Sequence, residues 1–295
     1  MRKLYNILKF IFTHPLSSKN KWAALKRFLK WQLGTRFFPV PVVFPFVGSS
    51  KLIVEKGMAG ATGNIYAGLH EFEDMAFTLH VLRQNDLFAD VGANIGSYTV
   101  LASAVAGSKS IAIEPVPSTF THLKNNISIN NIEQLVKLVN GGVGSANAKL
   151  QFTRDQDTVN HVITDGEDHE NAIEVQVSTL DDICKDDIPL LVKMDVEGFE
   201  LEALKGAQNI LRNDGLQALI IELNGSCRRY GVTEQEIHQY ILSFGFNPYS
   251  YEPFTRRLTR LKNYGEGNTI YIKNEKLLTE KINSSPKYKV FTSSI

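Results

Sequence analysis

The sequence predicts an α/β fold: a doubly wound, mostly parallel sheet of seven strands with an antiparallel hairpin at one edge and a helical extension at its N-terminus. Three observations predict it. A short apolar run at 87–91 reads as a buried parallel strand and 99–105 as the apolar start of a helix, with Gly92, Asn94 and Gly96 in the turn between them. A second buried strand, 110–115, carries Glu114 at its end, where doubly wound sheets place an acid about twenty residues beyond the first turn. Further apolar strands at 136–140, 188–194 and 218–221 are separated by helical periodicity at 118–130 and 201–211.

From the N-terminus, residues 1–54 hold no Asp or Glu, while Arg2, Lys3, Lys9, Lys19, Lys21, Lys26, Arg27, Lys30 and Arg36 are basic. Leu4, Ile7, Leu8, Ile11 and Phe12 share one helical face, and Trp22, Leu25, Phe28, Leu29 and Leu33 another. The first apolar run is broken by Asn6 and Lys9 and closed by Pro15. It is too short for a bilayer span, and no small-residue cleavage site follows it. Two readings stay open: a helical cap packed on the main domain, or a basic amphipathic pair, residues 1–36, resting peripherally on the anionic inner surface of a membrane.

Pro39, Pro41 and Pro45 make 36–48 an extended linker. Residues 51–55 alternate as a strand, Gly57, Gly60 and Gly63 form a loop, and 70–84 is a helix with Phe72, Met75, Ala76, Leu79 and Leu82 on one face. Gly141, Gly142 and Gly144 follow the third strand. Residues 149–152 and 174–177 pair as edge strands around a polar loop at 154–171. Thr233 to Glu236 spells a capping box, and 249–251 and 269–272 are the last, antiparallel strands. The organisation is thus a basic extension and linker at 1–50, a main domain at 51–273 and a polar tail at 274–295, expected to be loose.

The turn carries the first chemistry. Its spacing, Asp90-x-Gly92-x-Asn94-x-Gly96, is neither the G-x-G-x-x-G of dinucleotide folds nor a phosphate loop. An acid at the strand end repels a pyrophosphate but suits a sulfonium or an ammonium, which favours S-adenosylmethionine over NAD or ATP. Asp90, Gly92, Asn94 and Gly96 are the turn contacts, and Glu114 accepts hydrogen bonds from the ribose hydroxyls. With 295 residues and a net charge of +1, the chain lacks the basic excess of a general nucleic-acid binder. Two cysteines in no metal or redox spacing support neither a zinc site nor a disulfide framework, and suit a reducing cytoplasm.

The segments FADVGANIGSYTVLAS, IAIEPVPSTFTHLKNNISINN, VSTLDDI and LLVKMDVEGFELEALKGAQNIL, spanning roughly 71–225, together resemble the FkbM family of S-adenosylmethionine-dependent methyltransferases. The resemblance implies a class I methyltransferase (Rossmann-like) fold and methyl transfer to a hydroxyl of a sugar, glycan or secondary metabolite. Glu71 and Glu73 begin a helix, where its dipole alone favours carboxylates. The resemblance adds that one of them, with Glu73 the choice, contacts the cofactor's methionine end.

Asp195 and Glu222 end neighbouring strands on the same edge as Asp90 and Glu114, so four acids converge and need positive charge beside them. Lys193 is expected to point away from Asp195. The metal ligands that catechol-type methyltransferases place at such strand ends are not all present, so a divalent metal stays open as compensation for these acids but is not favoured, and no metal ligand is assigned. A hydroxyl acceptor gains from a base, for which Asp195, Glu197, Glu222 and His161 are candidates; Glu197 and His161 are preferred. Glu197 reads equally as a first-turn carboxylate of the following helix, and His161 as a surface residue. Asn160 and Glu222 are assigned to the acceptor. A non-catalytic cofactor-binding module, a methyltransferase acting on a macromolecule and a dehydrogenase remain alternatives, the last disfavoured by its glycine spacing.

Overall fold

The computed structural model describes residues 2–155, 159–164, 167, 171–185 and 187–295. Two helices, α1 (Arg2–Thr13) and α2 (Lys21–Phe37), precede a hairpin of β1 (Val42–Pro45) and β2 (Lys51–Val54). Then come α3 (Ala59–Ala67), α4 (Phe72–Val81), β3 (Leu87–Val91), α5 (Ser97–Val100, continued by a wider turn to Val105), β4 (Lys109–Glu114), α6 (Pro117–Ile129) and β5 (Val136–Asn140). A small sheet follows from β6 (Gly142–Val143), β7 (Ala148–Phe152) and β8 (Ile173–Ser178). The chain continues through α7 (Leu180–Cys184), β9 (Leu191–Met194), α8 (Glu200–Lys205), α9 (Gln208–Arg212), β10 (Ala218–Leu223), α10 (Glu234–Leu242), β11 (Asn247–Glu252), β12 (Arg257–Arg260) and β13 (Gly267–Ile272). It ends in α11 (Glu275–Asn283) and the hairpin of β14 (Lys289–Val290) with β15 (Ser293–Ser294).

The main sheet has eight strands in the order β12-β11-β13-β10-β9-β3-β4-β5. From β10 to β5 they run parallel, and β13, β11 and β12 continue antiparallel. The expected seven becomes eight because 257–260, too polar to read as a strand, pairs with the outer side of β11. From β3 the chain winds out through β4 and β5, then returns to β9 on the other side. The switch point therefore lies between β3 and β9, where such sheets bind ligands beyond their strand ends.

Alternation along the strands makes two cores. Phe88, Leu191, Ile220 and Ile270 face one side, where they meet α4, α11 and the N-terminal helices through Leu79, Leu278, Ile11, Phe28 and Trp31. Ala89, Val91, Val192, Met194 and Ile221 face the other, against α8, α9 and α10.

Several expectations are corrected. The linker at 36–48 contains β1, and the hairpin it forms with β2 runs across the boundary drawn at residue 50. Residues 59–67 are helix rather than a glycine loop. Gly63 is needed there because an added Cβ would lie 1.8 Å from the His70 ring. The strands at 148–152 and 173–178 form the separate small sheet instead of an edge of the main one. The 274–295 segment is ordered into α11 and a hairpin, with Leu278, Ile282, Val290 and Ile295 buried. The capping box of α10 forms as read, with Thr233 and Glu236 each bonding the other's backbone. Among the described residues no helix is long and apolar enough to cross a membrane.

Candidate active site

A cavity of about 410 Å³ opens at the C-terminal ends of β3, β4, β9 and β10. Its floor is the turn after β3. The amides of Gly92 and Ala93 donate to the Ile113 carbonyl, Gly96 starts α5 from a left-handed conformation, and Asn94 also has positive φ. Gly92 (φ +77°) could carry no side chain, since an added Cβ would sit 1.8 Å from the carbonyl oxygen of Asp195. The turn is thus pressed against the end of β9.

Glu114 closes one side. Its two carboxylate oxygens accept the amides of Asn94 (3.0 Å) and Val116 (2.9 Å), and burial pushes its carboxyl up to about 7 against the pull of those amides. Asp90, 1% exposed, accepts the Thr99 hydroxyl through one oxygen, while its other oxygen is buried without a partner among the described residues. Burial raises its pKa as well. A buried carboxylate oxygen facing a cavity without a donor fits a cationic ligand group.

Asp90, Lys193, Asp195, Glu222 and Asn268 continue the alternation that places Phe88, Leu191, Ile220 and Ile270 on the face of the N-terminal helices. Lys193 correspondingly donates to Asp195 at 2.8 Å, which corrects the expectation that it points away: residues two apart on a strand share a face. Its ammonium stands 5.0 Å from the Tyr98 ring centre. Burial opposes that charge, but Asp195, Glu71 and Asp90 outweigh it and hold the lysine above its ordinary range. Burial alone would raise Asp195. Lys193, and a hydrogen bond from Glu222, keep it below the usual aspartate value and ionised. Glu222 is pushed up to about 9 by burial and by the Asp195 charge.

Glu197 lies in the turn before α8 with φ +55°, a strained conformation for a residue with a side chain. Burial, then Asp195, pushes it up to about 8. Of the two first-turn carboxylates of α8, Glu200 and Glu202, it is Glu200 that accepts the amides of Val196 (3.2 Å) and Gly198 (3.0 Å). Glu197 is left lining the cavity. Oxygens of Asp195, Glu197 and Glu222 come within 4.8 Å of one another, close enough to share a divalent cation, although Lys193 already supplies positive charge there.

Two expected residues lie elsewhere. His161 is buried outside the cavity lining, its ring nitrogens 3.0 Å from the Val159 carbonyl and 3.0 Å from Glu167. Its neighbour Asn160 does line the cavity. Glu73 is exposed and outside it, whereas Glu71 lines it, accepting the Tyr98 hydroxyl (2.7 Å) and the Asn268 amide (2.9 Å). Tyr98 and Asn268 were not singled out in the sequence. The available signal was strand register, which places Asn268 opposite Glu222.

The strand–glycine turn–helix crevice with acids on successive strand ends defines a nucleotide-cofactor site of the doubly wound class. A family profile described as the methyltransferase FkbM domain matches residues 90–248, more than half of the chain, and the chain belongs to that family. S-adenosylmethionine is the family's methyl donor. The hexuronic acid methyltransferase AglP of Haloferax volcanii is 28% identical over 161 residues, 53% of this chain and 63% of that protein. Methyltransferase 1 of Beauveria bassiana is 26% identical over 159 residues, 46% of this chain and 64% of its own. The chain therefore spans less than two thirds of either relative. Among solved structures, P. horikoshii TYW2 in complex with MeSAdo is similar at 17% identity and a TM-score of 0.41, covering 80% of this chain and 73% of that one.

Proposed function

We propose that the protein transfers a methyl group from S-adenosylmethionine to a hydroxyl oxygen of a sugar, a glycan or a small secondary metabolite. The observation that carries this reading is the meeting, in one cavity, of the Gly92–Gly96 turn with Glu114 on one side and the Lys193–Asp195–Glu197–Glu222 group on the other. Glu114 has acceptor capacity beyond its two amides for ribose hydroxyls, and the partnerless oxygen of Asp90 suits the donor's ammonium. Glu71, rather than Glu73, is the acid placed for the methionine end. When bound, S-adenosylmethionine supplies an electrophilic methyl on a positively charged sulfur.

In this reading Glu197 is the base. A carboxyl near 8 is mostly protonated at neutral pH, but positive charge in the cavity lowers it and frees the carboxylate. It then takes the acceptor's proton as the oxygen–methyl bond forms and the sulfur–methyl bond breaks. Lys193 keeps Asp195 ionised, and Asp195 orients Glu222. Glu222 and Asn160 line the cavity where an acceptor would sit. An acid-rich lining suits an uncharged hydroxyl compound better than an anionic one. Buried thiols at Cys184 and Cys227, neither in a disulfide, fit a cytoplasmic setting.

The test is product formation. Purified protein with S-adenosylmethionine and a panel of neutral sugars and glycans should release S-adenosylhomocysteine and yield an O-methylated product by mass spectrometry. Tight cofactor binding with no turnover on any hydroxyl acceptor, or transfer only to nucleic acid or protein, would overturn it.

A further inference from the structure

The apolar residues of α2 do not share one face as the sequence suggested: Phe28 lies on one side and Trp22, Leu29 and Leu33 on the opposite one, and among the described residues only the first side is covered. Ala24, Phe28, Trp31 and Thr35 are buried toward the core. The helix is fastened there by Arg27, which donates to the Tyr66 carbonyl (2.7 Å), and by Gln32, which donates to the Tyr66 hydroxyl (2.8 Å). On the other face Trp22, Leu29, Leu33 and Phe37 recur at intervals of seven, four and four residues, which makes one stripe along a helix. They are 82%, 48%, 56% and 72% exposed. The stripe runs on past the helix end into Phe38, also 72% exposed. Lys26 falls within it, with Arg36 on one flank and Lys30 on the other, all exposed.

We propose that this face docks on an anionic lipid bilayer, lying in the interface with its apolar stripe among the headgroups and its cations on the lipid phosphates and carboxylates. Charge complementarity selects that occupant. Residues 1–54 contain no acid, so nothing in this segment offsets the attraction of Lys26, Lys30 and Arg36 to a negative surface. A second copy related by a two-fold axis would set these cations against themselves. A nucleic acid backbone would satisfy the cations but leave four large apolar side chains in water. A bilayer interface accepts both, and an exposed tryptophan beside lysines is the composition such surfaces favour. The covered face explains why the helix also acts as a cap; the two readings left open by the sequence belong to opposite sides of one helix.

Co-sedimentation of the full chain with phosphatidylcholine vesicles, with and without phosphatidylserine, tests this. Binding is expected to the anionic vesicles only, and to fall steeply with salt. Each cation removed should weaken partitioning roughly 5-fold, so Lys26→Ala with Lys30→Ala should cost roughly 25-fold. Leu33→Glu should abolish binding. Both variants alter exposed residues outside the cavity, and calorimetric titration with S-adenosylmethionine should give the parent affinity, which keeps this test separate from that of methyl transfer. No binding to anionic vesicles at low salt, equal binding to neutral ones, or parent-like binding by Leu33→Glu would overturn the proposal. So would light scattering showing a dimer that Leu33→Glu dissociates.

Discussion

Replacing Glu114 by glutamine tests how the turn and the cofactor are coupled. The parent side chain accepts two amides, Asn94 on one oxygen and Val116 on the other. Glutamine has the same shape but only one carbonyl oxygen, so its amide group must face one of those N–H donors, or turn away and leave that donor unpaired. One hydrogen bond is then lost in a buried site, worth about 1–3 kcal/mol and most where Glu114 is ionised, above about pH 7. The acceptor proposed for one ribose hydroxyl goes with it. Affinity for S-adenosylmethionine should fall by a further 1–3 kcal/mol, roughly 5- to 150-fold. Calorimetric titration measures the affinity, and thermal unfolding without cofactor separates the two losses. A lowered unfolding temperature with unchanged cofactor affinity would refute the ribose assignment, because Glu114 would then only brace the turn.

Two further outcomes follow from the same cavity. Gly92→Ala should destabilise the fold and abolish cofactor binding, since the new methyl would meet the backbone oxygen of Asp195 at 1.8 Å and the residue needs φ +77°; a soluble variant with parent affinity would count against that close approach. The unliganded protein should lose stability as pH rises from about 5 to 9. Glu197 and Glu222, raised to about 8 and about 9 from an ordinary 4.5, hold protons in the folded state that the unfolded chain has already released. Adding S-adenosylmethionine, which brings positive charge to them, should raise the unfolding temperature more at pH 8 than at pH 6; a ligand effect independent of pH would contradict this.

The side of the cavity formed by the glycine turn and Glu114 was legible in the sequence because it is local. The strand at 87–91, the glycines beyond it and Glu114 on the adjacent strand define their own geometry once the sheet is parallel. The acids at the ends of β9 and β10 were legible for the same reason. Lys193 was in principle legible too, as strand alternation already places it beside Asp195. What failed depends on contacts distant in the chain. His161 is drawn inward by the bridge between Phe152 and Val162 and by Glu167, so a loop position gave no hint of its burial. Glu71 and Glu73 stand at the start of one helix, and only its docking against Tyr98 and Asn268 decides which faces the cavity. The tail looked loose because its composition is polar. Leu278 and Ile282, four residues apart, are buried against the core with Val290 and Ile295 and anchor it.

The central claim is that Glu197 removes the acceptor's proton while other groups hold the cofactor. The direct measurement is single-turnover methyl transfer by Glu197→Gln beside His161→Ala, with cofactor affinity determined for both. At pH 6, where Glu197 without cofactor is protonated, Glu197→Gln should bind S-adenosylmethionine nearly as the parent does, and at neutral pH it should turn over roughly 10²- to 10⁴-fold more slowly. His161→Ala, altering a ring that lies outside the cavity, should keep the parent rate per folded molecule. A Glu197→Gln variant at parental rate, or loss of turnover in His161→Ala alone, would contradict the account.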